Sequence, residues 1–333
     1  MAKEEESLAE KTFLAFLRSG ERDAFLALEA ELLGQSVEKW GALVSAYRAL
    51  LTLDDIAAEA KLDERFRPKI WWMRSPFPGN FGDILTPYVL WHAFGVMPRW
   101  HNATEADGLC IGSTAKFARP GMHLWGTGMP RSTDTLCPTA IYSAVRGPLS
   151  RAAVLAAGGQ CPEIYGDAAI LLPELYAPVV AKTHKVGIIP HVLQENRIRE
   201  ALEAVGADHV KVISLLGVTF EDIERVVREI LSCDEIVTTS LHGLIVAHAY
   251  GVPAQSARLS EPNAEAKDSF KMRDYKQSVG LADEALELPR QFSDLSWLER
   301  RRCVLPPSPL DTKPLRAAFP FPVRIEEPPA ARG

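Results

Sequence analysis

No stretch of about 18 uninterrupted apolar residues occurs in this chain, which excludes an α-helical membrane span as a sequence reading. Residues 1–6 are polar and acidic, with no apolar run behind a basic start, so no secretory leader is expected. Dense Lys/Arg blocks are missing as well. With 37 Lys+Arg against 43 Asp+Glu and a formal net charge of -6, the chain lacks the basic footprint of nucleic-acid binding. Cysteine is scarce and odd in number: Cys110, Cys137, Cys161, Cys233 and Cys303 show no paired short spacing. That pattern argues for reduced, buried thiols over a disulfide framework or a zinc site, and so for a reducing, cytoplasmic compartment. His184, His191 and His209 lack metal-ligand spacing, and Gly-x-Ser-x-Gly does not occur, so neither a metal nor a nucleophile elbow is expected.

What is present is enough apolar material, 47% of 333 residues, to build one or two cores, and about 100–200 residues per domain favours two. Residues 7–61 carry a helical period in Phe13, Leu14, Leu17, then Phe25, Leu28, Leu32, then Trp40, Val44, Tyr47, Leu51. Ser7 with Glu10 has the spacing of a capping box at the start. From Pro68 the texture changes to short apolar runs that alternate with helical patterns, the mark of a parallel sheet with crossover helices. Strands are expected at 69–73, 109–111, 123–125 and 141–144, with a helix at 148–157 stopped by Gly158 and Gly159. After Pro173 and Pro178 the alternation restarts: strands at 185–189, 210–213 and 235–239, helices at 195–205, 220–233 and 244–250. The expected organisation is a helical accessory segment (1–66), two α/β domains (67–180 and 181–285) and a C-terminal tail (286–333), extended where proline is dense at 306–329.

In open parallel sheets, ligands collect at the carboxyl ends of the strands. There the chain places Asn80-Phe81-Gly82-Asp83, Gly112-Ser113, Gly126-Thr127-Gly128, Arg146 just before Pro148, and Gly166-Asp167. Asp83 or Thr86 reads as a helix cap; facing inward, Asp83 suits a sugar hydroxyl better than a phosphate. Arg146 beside a helix start suits a carboxylate or phosphate, because guanidinium binds such groups bidentately. Farther on, His191 and His242 each end a strand and could serve as proton donor and acceptor near neutral pH. Ser240 precedes a helix as a cap or an anion contact, and His248 reads as a core histidine. Lys271-Met272-Arg273-Asp274-Tyr275, expected after the second domain's last strand, reads either as a cationic cluster or as a solvated helix face.

Taken in order over residues 70–280, these segments resemble the polysaccharide pyruvyl transferase family, whose members attach pyruvate as a ketal to sugars of bacterial exopolysaccharides and related glycans. The resemblance rests on Asn80-Phe81-Gly82-Asp83, Gly112, Gly126, Val145-Arg146-Gly147, Gly166-Asp167, His191, Ser240-Leu241-His242-Gly243 with Ala249-Tyr250-Gly251-Val252-Pro253, and Lys271-Met272-Arg273-Asp274-Tyr275. It implies an α/β fold of two Rossmann-like domains facing across a cleft, as in the glycosyltransferase B plan, with phosphoenolpyruvate as donor and no cofactor. On this basis the expected catalytic residues are His242, Arg146 and Asp83. Donor contacts are expected from Arg146, Ser240, His242, His191 and Lys271. Acceptor contacts fall to Asn80, Asp83, Gly112, Ser113, Gly126 and Asp167. Some members have a basic residue where this chain has Ser240. A sugar or lipid-linked oligosaccharide is the expected acceptor, and the lipid-linked case brings the chain to the inner face of the membrane. Two alternatives stay open: a nucleotide-sugar glycosyltransferase on the same plan, and a non-catalytic glycan- or anion-binding relative.

Overall fold

The computed structural model describes residues 2–74, 76–207, 209–259, 269–289 and 296–325. The helical period near the start becomes three helices, α1 (Ala2–Ser19), α2 (Arg22–Gln35) and α3 (Val37–Glu59). Their inner faces meet around the buried Phe13 ring, 4.6 Å from Phe25 and 5.2 Å from Tyr47 by ring centroids. Because α1 starts ahead of Ser7, the expected capping box lies inside the helix and is not used. The cap that does form is Ser36, whose hydroxyl accepts from the Lys39 N–H at the start of α3 (3.2 Å).

Beyond this segment the described residues are mixed α/β, with two five-stranded, all-parallel sheets among them, consistent with two Rossmann-like units. The first sheet holds β1 (Lys69–Ile70), β2 (Arg99–Trp100), β3 (Gly108–Leu109), β4 (His123–Thr127) and β5 (Ile141–Val145), in the order β2-β1-β3-β4-β5. Its helices are α4 (Phe81–Phe94), α5 (Pro148–Ala156) and the short α6 (Leu172–Leu175). The second sheet is β10-β9-β8-β6-β7, from β6 (His184–Ile189), β7 (Val210–Val212), β8 (Cys233–Thr238), β9 (Ala254–Leu259) and β10 (Leu286–Leu288). Between these strands run α7 (Glu195–Ala204), α8 (Phe220–Leu231), α9 (Leu241–Ala249) and α10 (Phe270–Ser278). Ile188, Ile189, Ile236 and Val237 are all fully buried, as parallel strands covered on both faces require.

Three strands escaped the sequence reading. β2 is two residues without an apolar run, and β9, Ala-Gln-Ser-Ala-Arg-Leu, is too polar to stand out. β10 lies in the stretch expected as tail, yet it pairs with β9, so the Lys271–Tyr275 run precedes the last strand of its sheet instead of following it. The chain then continues through α11 (Ser296–Glu299) and α12 (Lys313–Ala317). Residues 312–325 dock on the first unit: the Trp125 indole N–H donates to the Leu315 carbonyl (2.7 Å), and Phe319 stacks on Phe94 at 3.9 Å. The rest of the proline-rich stretch, 326–329, lies outside the described residues.

A single buried apolar cluster runs from Phe13 in α1 through Leu85 in α4 to Val227 in α8 and Ile245 in α9. Helical segment and both sheets therefore share a core. Among the described residues no helix is long and apolar enough to cross a membrane.

Candidate active site

The polar strand ends of both sheets meet at one seam. Past β1 the chain reaches Asn80, whose side-chain oxygen accepts from the Gly82 N–H (2.9 Å) and so caps α4 in place of Asp83 or Thr86. The Phe81 N–H donates to the Leu215 carbonyl (2.8 Å), tying the start of α4 to the loop that follows β7. Asp83, released from capping, accepts from the Asn80 amide and stands near Lys271 in the first turn of α10. Burial pushes the Asp83 carboxyl up to about 8, against the opposing pull of the Lys271 charge and the Asn80 hydrogen bond. Lys271 is pushed in the reverse sense, its pKa lowered first by burial and then by the Arg146 charge.

His242, in the first turn of α9, reaches across to the first unit. Its ring lies against Gly82, where any Cβ would overlap it, and a Cβ on Gly112 would stand 3.5 Å from its Cε1. Gly82, in the first turn of α4, thus leaves the room that admits the ring, whereas at Gly112 a Cβ would make only an ordinary contact with it. His242 Nε2 lies 3.5 Å from a carboxylate oxygen of Asp167. Asp167 is fully buried and accepts from the backbone N–H groups of Gly112 (3.1 Å) and Ala169 (3.0 Å), which fix its orientation. His191 is anchored through its backbone N–H to the Thr239 hydroxyl (2.8 Å). Burial, then Lys271 and His242 beside it, push the His191 imidazole down to about 4, so it is neutral at pH 7. His191 and Lys271 line a cavity of about 320 Å³ together with Thr239, Ser256 and Arg258. Ser240 sits buried at the N-cap position of α9, but its hydroxyl makes no cap bond.

Arg146 departs from expectation. It is fully buried, and its guanidinium is spent on protein acceptors: Nε to Asp274 (3.0 Å), Nη2 to the Met129 carbonyl (2.6 Å), Nη1 to the Ser113 hydroxyl (2.8 Å). Asp274 also accepts from the Ser150 N–H (2.9 Å) and hydroxyl (2.6 Å) at the start of α5. The anion seat assigned to a ligand is therefore filled by an internal carboxylate, and Arg146 organises the seam without facing it. Ser113 likewise serves Arg146. Gly126 has φ +73°, and a Cβ there would meet backbone atoms of Ala168, Cys110 and Gly166 at 3.1–3.2 Å, so the strand end has no room for a side chain. The Lys271–Tyr275 run is no solvated face: Met272, Asp274 and Tyr275 are buried, and His248, a core histidine, bonds Tyr275 through Nδ1 (3.0 Å). Sequence reasoning grouped Asp274 with its neighbours but missed its partner, because nothing local pairs a residue at 274 with one at 146. Among the described residues no group of three or more His, Cys, Asp or Glu side chains could hold a metal.

Residues 140–254 match the family model for polysaccharide pyruvyl transferase. That span holds Arg146, Asp167, His191, Ser240 and His242, and is narrower than the 70–280 over which the motifs were read. The chain is also 31% identical over 98 residues to an uncharacterized protein of Acanthamoeba polyphaga mimivirus, an overlap covering 29% of this chain and 33% of that relative. This chain thus spans about a third of the length of the curated relative it matches.

Proposed function

We propose that the chain transfers the pyruvyl unit of phosphoenolpyruvate onto two hydroxyls of a glycan sugar, forming a cyclic ketal and releasing phosphate. The observation that carries this reading is the convergence of Asp83, Lys271, His191 and His242 from the strand ends of both sheets on one seam. The family match over residues 140–254 supplies the reaction class. In this reading residues 67–180 and 181–288, the latter extended past the expected 285 to take in β10, form two Rossmann-like domains facing across a cleft, the glycosyltransferase B plan, with 1–66 packed against the first.

The donor carries two anionic groups, so it needs cations that are poorly solvated. Lys271 provides one beside the cavity, and the neutral His191 adds a hydrogen bond without a second charge. A proton must reach the methylene carbon of the enol, after which one sugar hydroxyl attacks the cationic carbon. Phosphate leaves from that carbon, and the second hydroxyl closes the ring while the hydroxyl protons restore the acid and depart with phosphate. His242 takes the part of the acid. Asp83, protonated at neutral pH, donates a hydrogen bond that orients the acceptor and does not deprotonate it. Asn80, Gly112 and Asp167 form the acceptor side; Ser240 lies on the donor side. Arg146 moves from ligand contact to positioning, through Asp274 and Ser113. A lipid-linked acceptor would bring the chain to the cytoplasmic face of a membrane.

Incubation of the full chain with phosphoenolpyruvate and a panel of glycans, followed by mass spectrometry, tests the proposal. A glycan that gains a pyruvyl ketal while inorganic phosphate appears is the expected outcome. Transfer of a sugar from a nucleotide sugar, with phosphoenolpyruvate untouched, would replace this reading with the glycosyltransferase one.

A further inference from the structure

We infer that a second anion site lies at the opposite end of the first sheet from the seam, and that it takes a phosphate or diphosphate group. This inference stands apart from the proposed reaction. A hollow of about 710 Å³ opens there, within the usual range of ligand pockets. It forms where strands begin: Lys69 opens β1, Arg99 opens β2, Asp107 precedes β3 and His123 opens β4. Five of its lining residues are cationic (Arg65, Arg67, Lys69, Arg99, Arg119) and two are acidic (Glu64, Asp107), in a chain whose formal net charge is -6.

Not all of that charge is spare. Arg99 is held by Glu64, and Arg67 by Asp54. The Asp107 carboxylate accepts the Lys69 backbone N–H (2.9 Å), and the Lys69 ammonium, on an exposed residue, makes no ion pair among the described residues. Arg119 is fixed by carbonyls, Nε on Ala103 (2.7 Å) and Nη2 on Ala106 (2.8 Å), which orient the guanidinium without cancelling its charge. A preset guanidinium and an unpaired ammonium on the wall of one polar concavity suit the several acceptor oxygens of a phosphate. The volume exceeds that of a single phosphate, so the group arrives attached to a larger molecule, a free metabolite or a lipid.

Calorimetric titration of the full chain with inorganic pyrophosphate is the test. Saturable binding is expected, weakened about tenfold or more by Lys69→Ala and by Arg119→Gln, since each removes a charge-assisted hydrogen bond. Lys211→Ala, on β7 and outside the hollow, leaves it unchanged. Cosedimentation with phosphatidylcholine vesicles that contain phosphatidic acid, but not with phosphatidylcholine alone, assigns the group to a lipid headgroup; pyrophosphate binding without cosedimentation assigns it to a soluble ligand. Absence of both, or binding that Lys69→Ala leaves intact in a chain of unchanged melting temperature, overturns the inference.

Discussion

Asp274→Ala lowers the free energy of unfolding by about 3–5 kcal/mol, because it strands a fully buried guanidinium without its counter-charge. The carboxylate accepts three hydrogen bonds, from the Arg146 Nε and the Ser150 N–H and hydroxyl, and lies 2.9 Å from Arg146 Nη2, so all three donors lose their acceptor at once. Solvent cannot replace it, since both side chains of the pair are 0% exposed. The double variant Arg146→Met/Asp274→Leu loses much less, because exchanging a whole buried pair for apolar groups is often close to neutral. Urea denaturation of the three proteins measures this as a change in midpoint at constant slope. A loss under about 1 kcal/mol for Asp274→Ala would mean that the pair is not the latch between α10 and α5 described above.

His242→Ala cuts turnover by about a hundredfold or more while leaving the fold intact, as expected for removal of an acid that acts in the transition state. The ring lies against Gly82, so its loss leaves a small void, and the buried Asp167 carboxylate that it faces keeps the Gly112 and Ala169 N–H donors. Phosphate release from phosphoenolpyruvate in the presence of a working acceptor gives the rate. Turnover within about threefold of the parent protein would remove His242 from the chemistry.

Much of this architecture was legible in the sequence because local signals and tertiary demands agree. The buried stretches 186–189 of β6 and 236–237 of β8 are apolar, as doubly covered parallel strands must be, and Pro148 at the start of α5 marked that helix. β2, β9 and β10 were not legible, since edge and near-edge strands of two to six mixed residues carry no periodic signal. At the site, strand-end polarity pointed to Asp83, His191 and His242, all of which converge on the seam. It also pointed to Arg146, which is fully buried, and to Gly126, where there is no room for a side chain. Strand-end position cannot distinguish a side chain aimed at a ligand from one answered by a distant carboxylate, and for Arg146 that carboxylate comes from 128 residues along the chain.

Calorimetric titration of phosphoenolpyruvate into the full chain and into Lys271→Ala addresses the donor site directly. The parent protein should bind saturably, and Lys271→Ala should bind about tenfold more weakly or worse, because the donor loses its principal cation. Saturable binding of a nucleotide sugar with no heat from phosphoenolpyruvate, in either protein, would contradict the account.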